Sequence, residues 1–231
     1  MDLKPINHLI QQGNSRKARQ HLQLILRPSE RARFTREERL ELASLCRRTG
    51  WFQGALVVLA PIVRPSSRSR VQASDAEKTE YASNLIQMGS RQEGRLLLSE
   101  VSPSWHPKYF VEALSYFSEW NYHAAIPLLR RYLDWPEIQP YARIIGQVNL
   151  AAALVFENEI HEAETLLRHL KETCEREGHS LMLGNVYEIW SQLALKQDQT
   201  VEKHLVTFRV TVHQPSRRCC HCPRGSRQSI R

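Results

Sequence analysis

Long apolar runs are absent from this chain of 231 residues. The longest run, residues 55–63, contains Pro61 and is far shorter than the roughly 20 residues that a helix needs to cross a bilayer. The N-terminal sequence MDLKPINHLIQQG also lacks the basic start and apolar core that are typical of a secretory signal. These absences predict a cytoplasmic protein that does not enter a membrane.

The sequence also lacks the short motifs that mark common nucleotide-binding and hydrolytic sites. It contains no G-x-x-x-x-G-K-[ST] or G-x-G-x-x-G phosphate-binding loop. It contains neither the zinc motif H-E-x-x-H nor the nucleophile turn G-x-S-x-G. We therefore expect neither a catalytic site nor a bound cofactor.

Cysteine is scarce, and three of the five cysteines lie within residues 219–222, which read Cys-Cys-His-Cys. Four consecutive ligands cannot surround one zinc ion without severe backbone distortion, and no second ligand pair exists elsewhere in the chain. The other two, Cys46 and Cys174, fall on predicted helix faces in a chain without a secretory signal. The sequence predicts neither a metal site nor a disulfide framework.

Acidic residues are missing from residues 207–231, which carry six arginines. The helical apolar pattern stops near Val206, where alternating β-branched residues give way to Arg, Ser, Cys and Pro. This break predicts a helical domain over residues 1–206 and a disordered basic tail over residues 207–231. A frameshift or a truncation would also produce such an ending, and the domain that carries the activity would then be missing. Sequencing the locus tests this hypothesis.

Basic residues are concentrated in the first third of the chain. Residues 1–78 carry 15 Lys or Arg and 7 Asp or Glu, whereas residues 79–206 carry 11 and 17. Such a basic region favours contact with nucleic acid or with an acidic partner, or it lines solvated helix faces. No helix-turn-helix or RNA-binding signature accompanies it, and no aromatic residues alternate with the basic ones to stack bases.

A sequence motif of small and apolar residues, which we call the repeat phrase, recurs five times along the chain. Its small residues are spaced 37, 39, 31 and 38 residues apart, and a Leu follows each of them four residues later. The small residues are Ala18, Ala55, Gly94, Ala125 and Ala163. Five residues before each of them stand Gly13, Gly50, Gly89, Trp120 and Asn158. A fixed period of this length is typical of stacked structural units.

Each phrase predicts a turn followed by a helix. Gly and Asn at the turn positions favour the left-handed backbone that ends a preceding helix. Twelve and nine residues before each small residue, further apolar residues stand in register and predict a first helix. Capping boxes at Thr35–Glu38 and Ser74–Glu77 mark helix starts, and Pro28, Pro65, Pro103 and Pro136 mark helix ends. Pro127 lies inside a second helix, where we expect a kink or a late start.

These residues resemble the tetratricopeptide repeat: the Ala or Gly at each helix contact, the Gly at the turn and the terminal Pro. The resemblance covers residues 3–206, including a degenerate sixth unit around Val201. It implies an all-α, right-handed solenoid of five to six antiparallel helix pairs. Most spacings exceed the family's ~34 residues, and Leu replaces the usual aromatic four residues after the small one. The alternative is an irregular helical bundle with chance spacing.

In tetratricopeptide proteins the first helices line a concave groove that binds partner peptides. By analogy, the groove positions stand 15, 11 and 8 residues before each small residue. In the second, fourth and fifth units these are Leu40, Ser44, Arg47, Phe110, Leu114, Phe117, Val148, Ala152 and Val155. In the third unit they are Thr79, Ser83 and Ile86. The Lys and Asn residues with which some members hold an acidic peptide terminus are absent from these positions.

The resemblance predicts a non-catalytic module that binds a peptide or helix of a partner protein. The apolar residues of the fourth and fifth units would then form an exposed trough; alternatively, they belong to the core. Two other functions remain open at this point. One is the sensor or oligomerisation region of a transcriptional regulator, and the other is direct binding of nucleic acid through the basic first third.

Overall fold

The computed structural model describes residues 3–65 and 72–212, and over these residues the fold is all-α without a strand. Eleven α-helices follow one another, with a short 3₁₀ turn at Arg31–Arg33. The helices are α1 (Lys4–Gln11), α2 (Ser15–Ile25), α3 (Arg36–Arg48), α4 (Phe52–Val63), α5 (Asp75–Gln87), α6 (Arg91–Ser99), α7 (Pro107–Phe117), α8 (Tyr122–Leu133), α9 (Pro140–Phe156), α10 (Ile160–Glu177) and α11 (Ser180–Val212).

The first ten helices form five consecutive pairs, α1/α2 to α9/α10, whose members are joined by turns of three or four residues and pack on each other. The five predicted turn positions all have left-handed backbone, with φ between +57° and +92°. Trp120 and Asn158 adopt this conformation although a Cβ disfavours it. The repeat phrase therefore placed all five turns correctly.

The recurring small residues lie at the centre of the helix contacts. Ala18, Ala55, Ala125 and Ala163 are fully buried, and Gly94 is buried as well. A Cβ at Gly94 would lie 2.6 Å from Ile86 Cγ1 and 3.1 Å from the Ala82 carbonyl oxygen. The close approach of α5 and α6 thus requires glycine, because any side chain there would collide with the facing helix.

Helix starts and ends follow the local sequence signals. At α3, the Thr35 side chain accepts a bond from the Glu38 amide (3.2 Å), and Glu38 Oε2 accepts one from the Thr35 amide (3.0 Å). Ser74 and Glu77 form the same reciprocal capping box at α5. The four predicted terminal prolines each follow the end of a second helix within four residues. Pro127 lies inside α8, which begins at Tyr122, so the late start expected there is wrong.

The apolar core extends along the chain rather than around one centre. Two large clusters of buried side chains cover residues 3–85 and residues 113–193, and two smaller clusters lie within residues 82–138. First helices also contact the first helix of the next pair, as in α1 with α3, α3 with α5 and α5 with α7. This succession of neighbouring contacts is compatible with a helical repeat.

The C-terminal part departs from the predicted sixth unit. A sixth unit around Val201 would have its turn five residues earlier, near Lys196, but α11 runs without interruption from Ser180 to Val212. The helix also passes the predicted domain boundary after Val206 by six residues. Within the described chain, the sixth unit is therefore one long helix instead of a pair. Residues 213–231, including the cysteines of residues 219–222 and most of the predicted tail, lie outside the described residues.

Candidate functional site

The first helices of the second, third and fourth pairs line a common depression, which we call the α3–α5–α7 groove. It contains two adjoining cavities of about 600 Å³ and about 420 Å³. Both are lined by Thr79 and Glu80 of α5 and by Pro107 at the start of α7, so the two cavities are neighbours. Their volumes lie in the range that is usual for ligand sites.

Five of the nine predicted groove residues line this groove. Leu40 and Ser44 of α3 line the larger cavity, and Arg47, Phe110 and Leu114 line the smaller one. All five are half-buried, and thus partly open to solvent. The helical spacing of residues 40, 44 and 47 explains this arrangement, because it keeps one face of α3 turned away from the core.

The other four predicted residues line neither cavity, and two of them are core residues. Val148 and Val155 on α9 are 6% and 0% exposed, and Phe117 and Ala152 pack against the same apolar cluster. The exposed apolar trough predicted for the fifth unit is therefore wrong. Of the third-unit positions, Thr79 and Ser83 line the groove, whereas Ile86 packs towards Gly94.

Helix α11 covers α9 and explains the burial of its side chains. The two helices pack on each other, and Lys196 Nζ donates hydrogen bonds to the carbonyl oxygens of Val155 (2.7 Å) and Phe156 (3.0 Å). These carbonyls belong to the last turn of α9, where a helix lacks internal donors. The lysine side chain therefore completes the end of α9 and holds α11 in place.

A charged pair lies between the two cavities. Arg47 Nε donates a hydrogen bond of 2.7 Å to Glu80 Oε1, and Asn84 Nδ2 donates to the same oxygen at 3.1 Å. The positive charge of Arg47 and the negative charge of Glu80 compensate each other. On the rim of the larger cavity, Glu37 and Glu41 are exposed and form no salt bridge with any described residue. The rim of the larger cavity therefore carries two carboxylates without a salt-bridge partner among the described residues.

Two polar atoms of the groove are buried without a hydrogen-bond partner among the described residues. One is the hydroxyl oxygen of Thr79, a residue that is 6% exposed, and the other is the indole Nε1 of Trp105. Thr79 lines both cavities and Trp105 lines the larger one. Buried polar groups in native proteins are bonded in the great majority of cases. Both atoms have less than 1 Å² of accessible surface, so they are closed to a molecule in the groove as they are to water.

Sequence reasoning missed Trp105 because it lies outside the helices, between α6 and α7. A local signal was present, since Pro103 and Pro107 flank it and restrict the backbone on both sides. A tryptophan fixed in such a segment is typical of a packed loop. What the sequence did not provide was the position of this loop against α3 and α5.

Several of the basic residues in the first third have structural partners. Arg36 makes a bidentate pair with Glu77, which is 2% exposed, and also donates to the Gln72 carbonyl at 2.8 Å. Arg31 and Arg39 donate to backbone carbonyls of neighbouring segments. These guanidinium groups are engaged within the fold, which reduces the positive surface that a nucleic acid would contact.

The buried carboxylate of Glu77 shows how such a pair is maintained. Burial alone would raise its pKa, but hydrogen bonds from Arg36 and from the Ser74 amide and hydroxyl outweigh this effect. The pKa of Glu77 therefore lies below its ordinary value, and the carboxylate stays ionised. This pair fixes the start of α5 against α3 and so shapes one wall of the groove.

The described part of the chain also contains His, Cys, Asp and Glu side chains, the usual metal-binding and reactive groups. Over those residues, no group of three or more His, Cys, Asp or Glu side chains is arranged to hold a metal ion. The thiols of Cys46 and Cys174 are free and buried. Burial raises the pKa of Cys46 to about 12, so this thiol is protonated and unreactive at neutral pH.

Among residues 3–65 and 72–212, no helix combines the length and the apolar character needed to span a bilayer. No protein-family model, curated protein or solved structure matches the chain. The tetratricopeptide resemblance therefore depends on the repeat residues and on the helix succession described above.

Proposed function

We propose that this chain is a tetratricopeptide-like solenoid that binds a peptide segment of a partner protein in the α3–α5–α7 groove. One observation carries the proposal: residues chosen by repeat position alone line two neighbouring cavities, namely Leu40, Ser44, Arg47, Phe110 and Leu114. Solenoids use such surfaces for binding rather than for catalysis. We also place the protein in the cytoplasm, to which two free, buried thiols are suited.

Three features of the groove fit a peptide. Apolar side chains from Leu40, Phe110 and Leu114 provide contacts that exclude water. The half-buried Ser44 between them supplies a polar group that is suited to the backbone of an extended chain. The groove spans three helices, so its length suits a linear ligand better than a compact one.

Site-specific photo-cross-linking tests the proposal. We would place p-benzoylphenylalanine at position 114 in the full chain, irradiate it in native lysate and identify cross-linked peptides by mass spectrometry. The matched control carries the same group at position 96, because Leu96 on α6 is 68% exposed and lines neither cavity.

The proposal requires one partner peptide to cross-link from position 114 and not from position 96. Adding a synthetic copy of that peptide should abolish the cross-link, and Leu114→Asp should weaken its binding. Equal labelling from both positions, or labelling from position 96 only, would show that the groove is not the binding surface.

A further inference from the structure

We propose that a separate cavity between α2 and α4 binds a small, flat, apolar carboxylate. This α2–α4 cavity has a volume of about 380 Å³, which lies in the range that is usual for ligand sites. It shares none of its lining residues with the two cavities of the α3–α5–α7 groove. The inference therefore goes beyond the proposed peptide binding and does not depend on it.

Arg31, in the 3₁₀ turn after α2, provides the positive group for the carboxylate. It is the one charged residue among the described residues that line the cavity, and no salt bridge joins it to another of them. Its Nε donates a hydrogen bond of 2.8 Å to the Leu26 carbonyl oxygen. Its two Nη atoms have no partner among the described residues and, unlike Trp105 Nε1, are not closed to solvent. The guanidinium group therefore has donors to spare for a carboxylate.

Arg31 is held in position before a ligand arrives. The bond from Nε to the Leu26 carbonyl fixes the side chain at the end of α2, and Arg39 Nη2 donates to the carbonyl oxygen of Arg31 itself. A side chain that is already fixed loses less conformational freedom when it binds a ligand. The surrounding charge acts in the same direction, because residues 1–78 carry 15 Lys or Arg against 7 Asp or Glu and so attract anions.

Apolar side chains define the body of the ligand. Trp51 and Leu56 are half-buried and Val57 is 42% exposed, so all three keep surface that a ligand can contact. The indole of Trp51 packs on the backbone of α4 at Gly54, where a Cβ would lie 2.5 Å from Trp51 Cδ2. This close packing fixes an aromatic wall in the cavity, and such a wall suits a flat aromatic ligand.

Isothermal titration calorimetry on the full chain tests the inference with three probes. 2-Naphthoate carries both features of the ligand, 2-naphthamide has the same rings without the charge, and benzoate has the charge but only one ring. We expect 2-naphthoate to bind with a dissociation constant below about 1 mM. The amide should bind about ten-fold more weakly because it loses the charged hydrogen bonds, and benzoate should bind more weakly because it buries less apolar surface.

Two pairs of matched variants locate the site. Arg31→Gln should weaken 2-naphthoate about ten-fold, whereas Arg27→Gln removes an exposed arginine that does not line the cavity and should leave the affinity unchanged. Val57→Asp places a carboxylate in the apolar wall and should abolish measurable binding. Leu96→Asp is its control, because Leu96 is 68% exposed and also stands two residues after the small residue of its repeat phrase. Melting temperatures show that each variant is folded.

Four results would overturn the inference. Absence of 2-naphthoate binding at millimolar concentration would refute the ligand class, and an amide that binds as tightly as the carboxylate would refute the role of the charge. Equal effects of Arg31→Gln and Arg27→Gln would indicate general attraction to a basic surface. Equal effects of Val57→Asp and Leu96→Asp would place the site elsewhere. None of these results changes the test of peptide binding at position 114.

Discussion

Thr79→Val is expected to stabilise the free protein. The Thr79 hydroxyl is buried on α5 without a hydrogen-bond partner, and the residue is 6% exposed. Burying a hydroxyl without a partner costs about 1–3 kcal/mol in protein mutational data. Valine has nearly the same shape and a similar helix propensity, so the substitution removes this cost without opening a cavity.

The expected gain is about 1 kcal/mol in the free energy of unfolding, the lower end of that range, because half-buried groove residues such as Leu114 and Phe110 surround the site. For a chain of this size such a gain raises the melting temperature by about 2–4 °C. Urea unfolding followed by circular dichroism at 222 nm measures it as a higher midpoint with an unchanged slope.

Two control variants show whether the hydroxyl is the cause. Thr173→Val on α10 removes a second unsatisfied buried hydroxyl and should also stabilise the protein. In contrast, the exposed Thr165 donates to the His161 carbonyl at 2.9 Å, so Thr165→Val should be neutral or slightly destabilising. If Thr79→Val lowers the midpoint, the hydroxyl has a partner in the free protein, and the argument that its burial is costly fails.

Glu77→Gln should lower the free energy of unfolding by about 2 kcal/mol at pH 7, because it breaks a buried charged pair whose arginine is partly exposed. The depressed pKa of Glu77 adds stability above about pH 4.3, which is lost as the pH falls further, so the variant should be less sensitive to acid. In the same urea assay, Phe117→Asp should lower the free energy of unfolding by about 2–4 kcal/mol, because Phe117 packs against the apolar core. Leu114→Asp should lower it much less, because Leu114 lines the smaller cavity. Gly94→Ala should destabilise by about 1–3 kcal/mol, whereas Gly184→Ala, with open space around its Cβ, should stabilise by about 0.5–1 kcal/mol.

Each of these expectations has an opposing outcome that can be observed. An unchanged acid response in Glu77→Gln would mean that other carboxylates set the acid limit. A stable Phe117→Asp that has lost its partner would restore Phe117 to the groove. Equal effects of alanine at positions 94 and 184 would mean that α5 and α6 do not approach closely at Gly94.

The parts of the fold that depend on local sequence could be predicted. The five left-handed turns follow from the Gly, Trp and Asn positions of the repeat phrase, and the capping boxes of α3 and α5 follow from Ser or Thr with Glu three residues later. Each of these features is determined by residues within one turn of each other. Counting by the repeat period therefore located them without knowledge of the tertiary structure.

The repeat period gave a wrong prediction at α11. It predicted a turn at a place where the local sequence contains no signal for the end of a helix. The position that corresponds to the turn is Lys196, and lysine does not favour the left-handed backbone that Gly13 or Asn158 adopts. No proline occurs between Ser180 and Val212 either, so nothing interrupts the helix. Trp120 forms its turn although its Cβ disfavours that backbone, so the residue at the repeat position does not by itself decide whether a turn forms.

The long α11 also changes where binding can occur. It packs on α9, and Val148 and Val155, which the repeat positions alone would expose, are buried in an apolar cluster that α11 shares. The accessible groove is then confined to α3, α5 and α7, where the wall is apolar but the floor carries Thr79, Glu80 and Arg47. If affinity came from apolar burial alone, any apolar helix would be a suitable ligand. The polar residues of this lining instead favour a ligand that carries hydrogen-bonding groups beside its apolar side chains, as an extended peptide does.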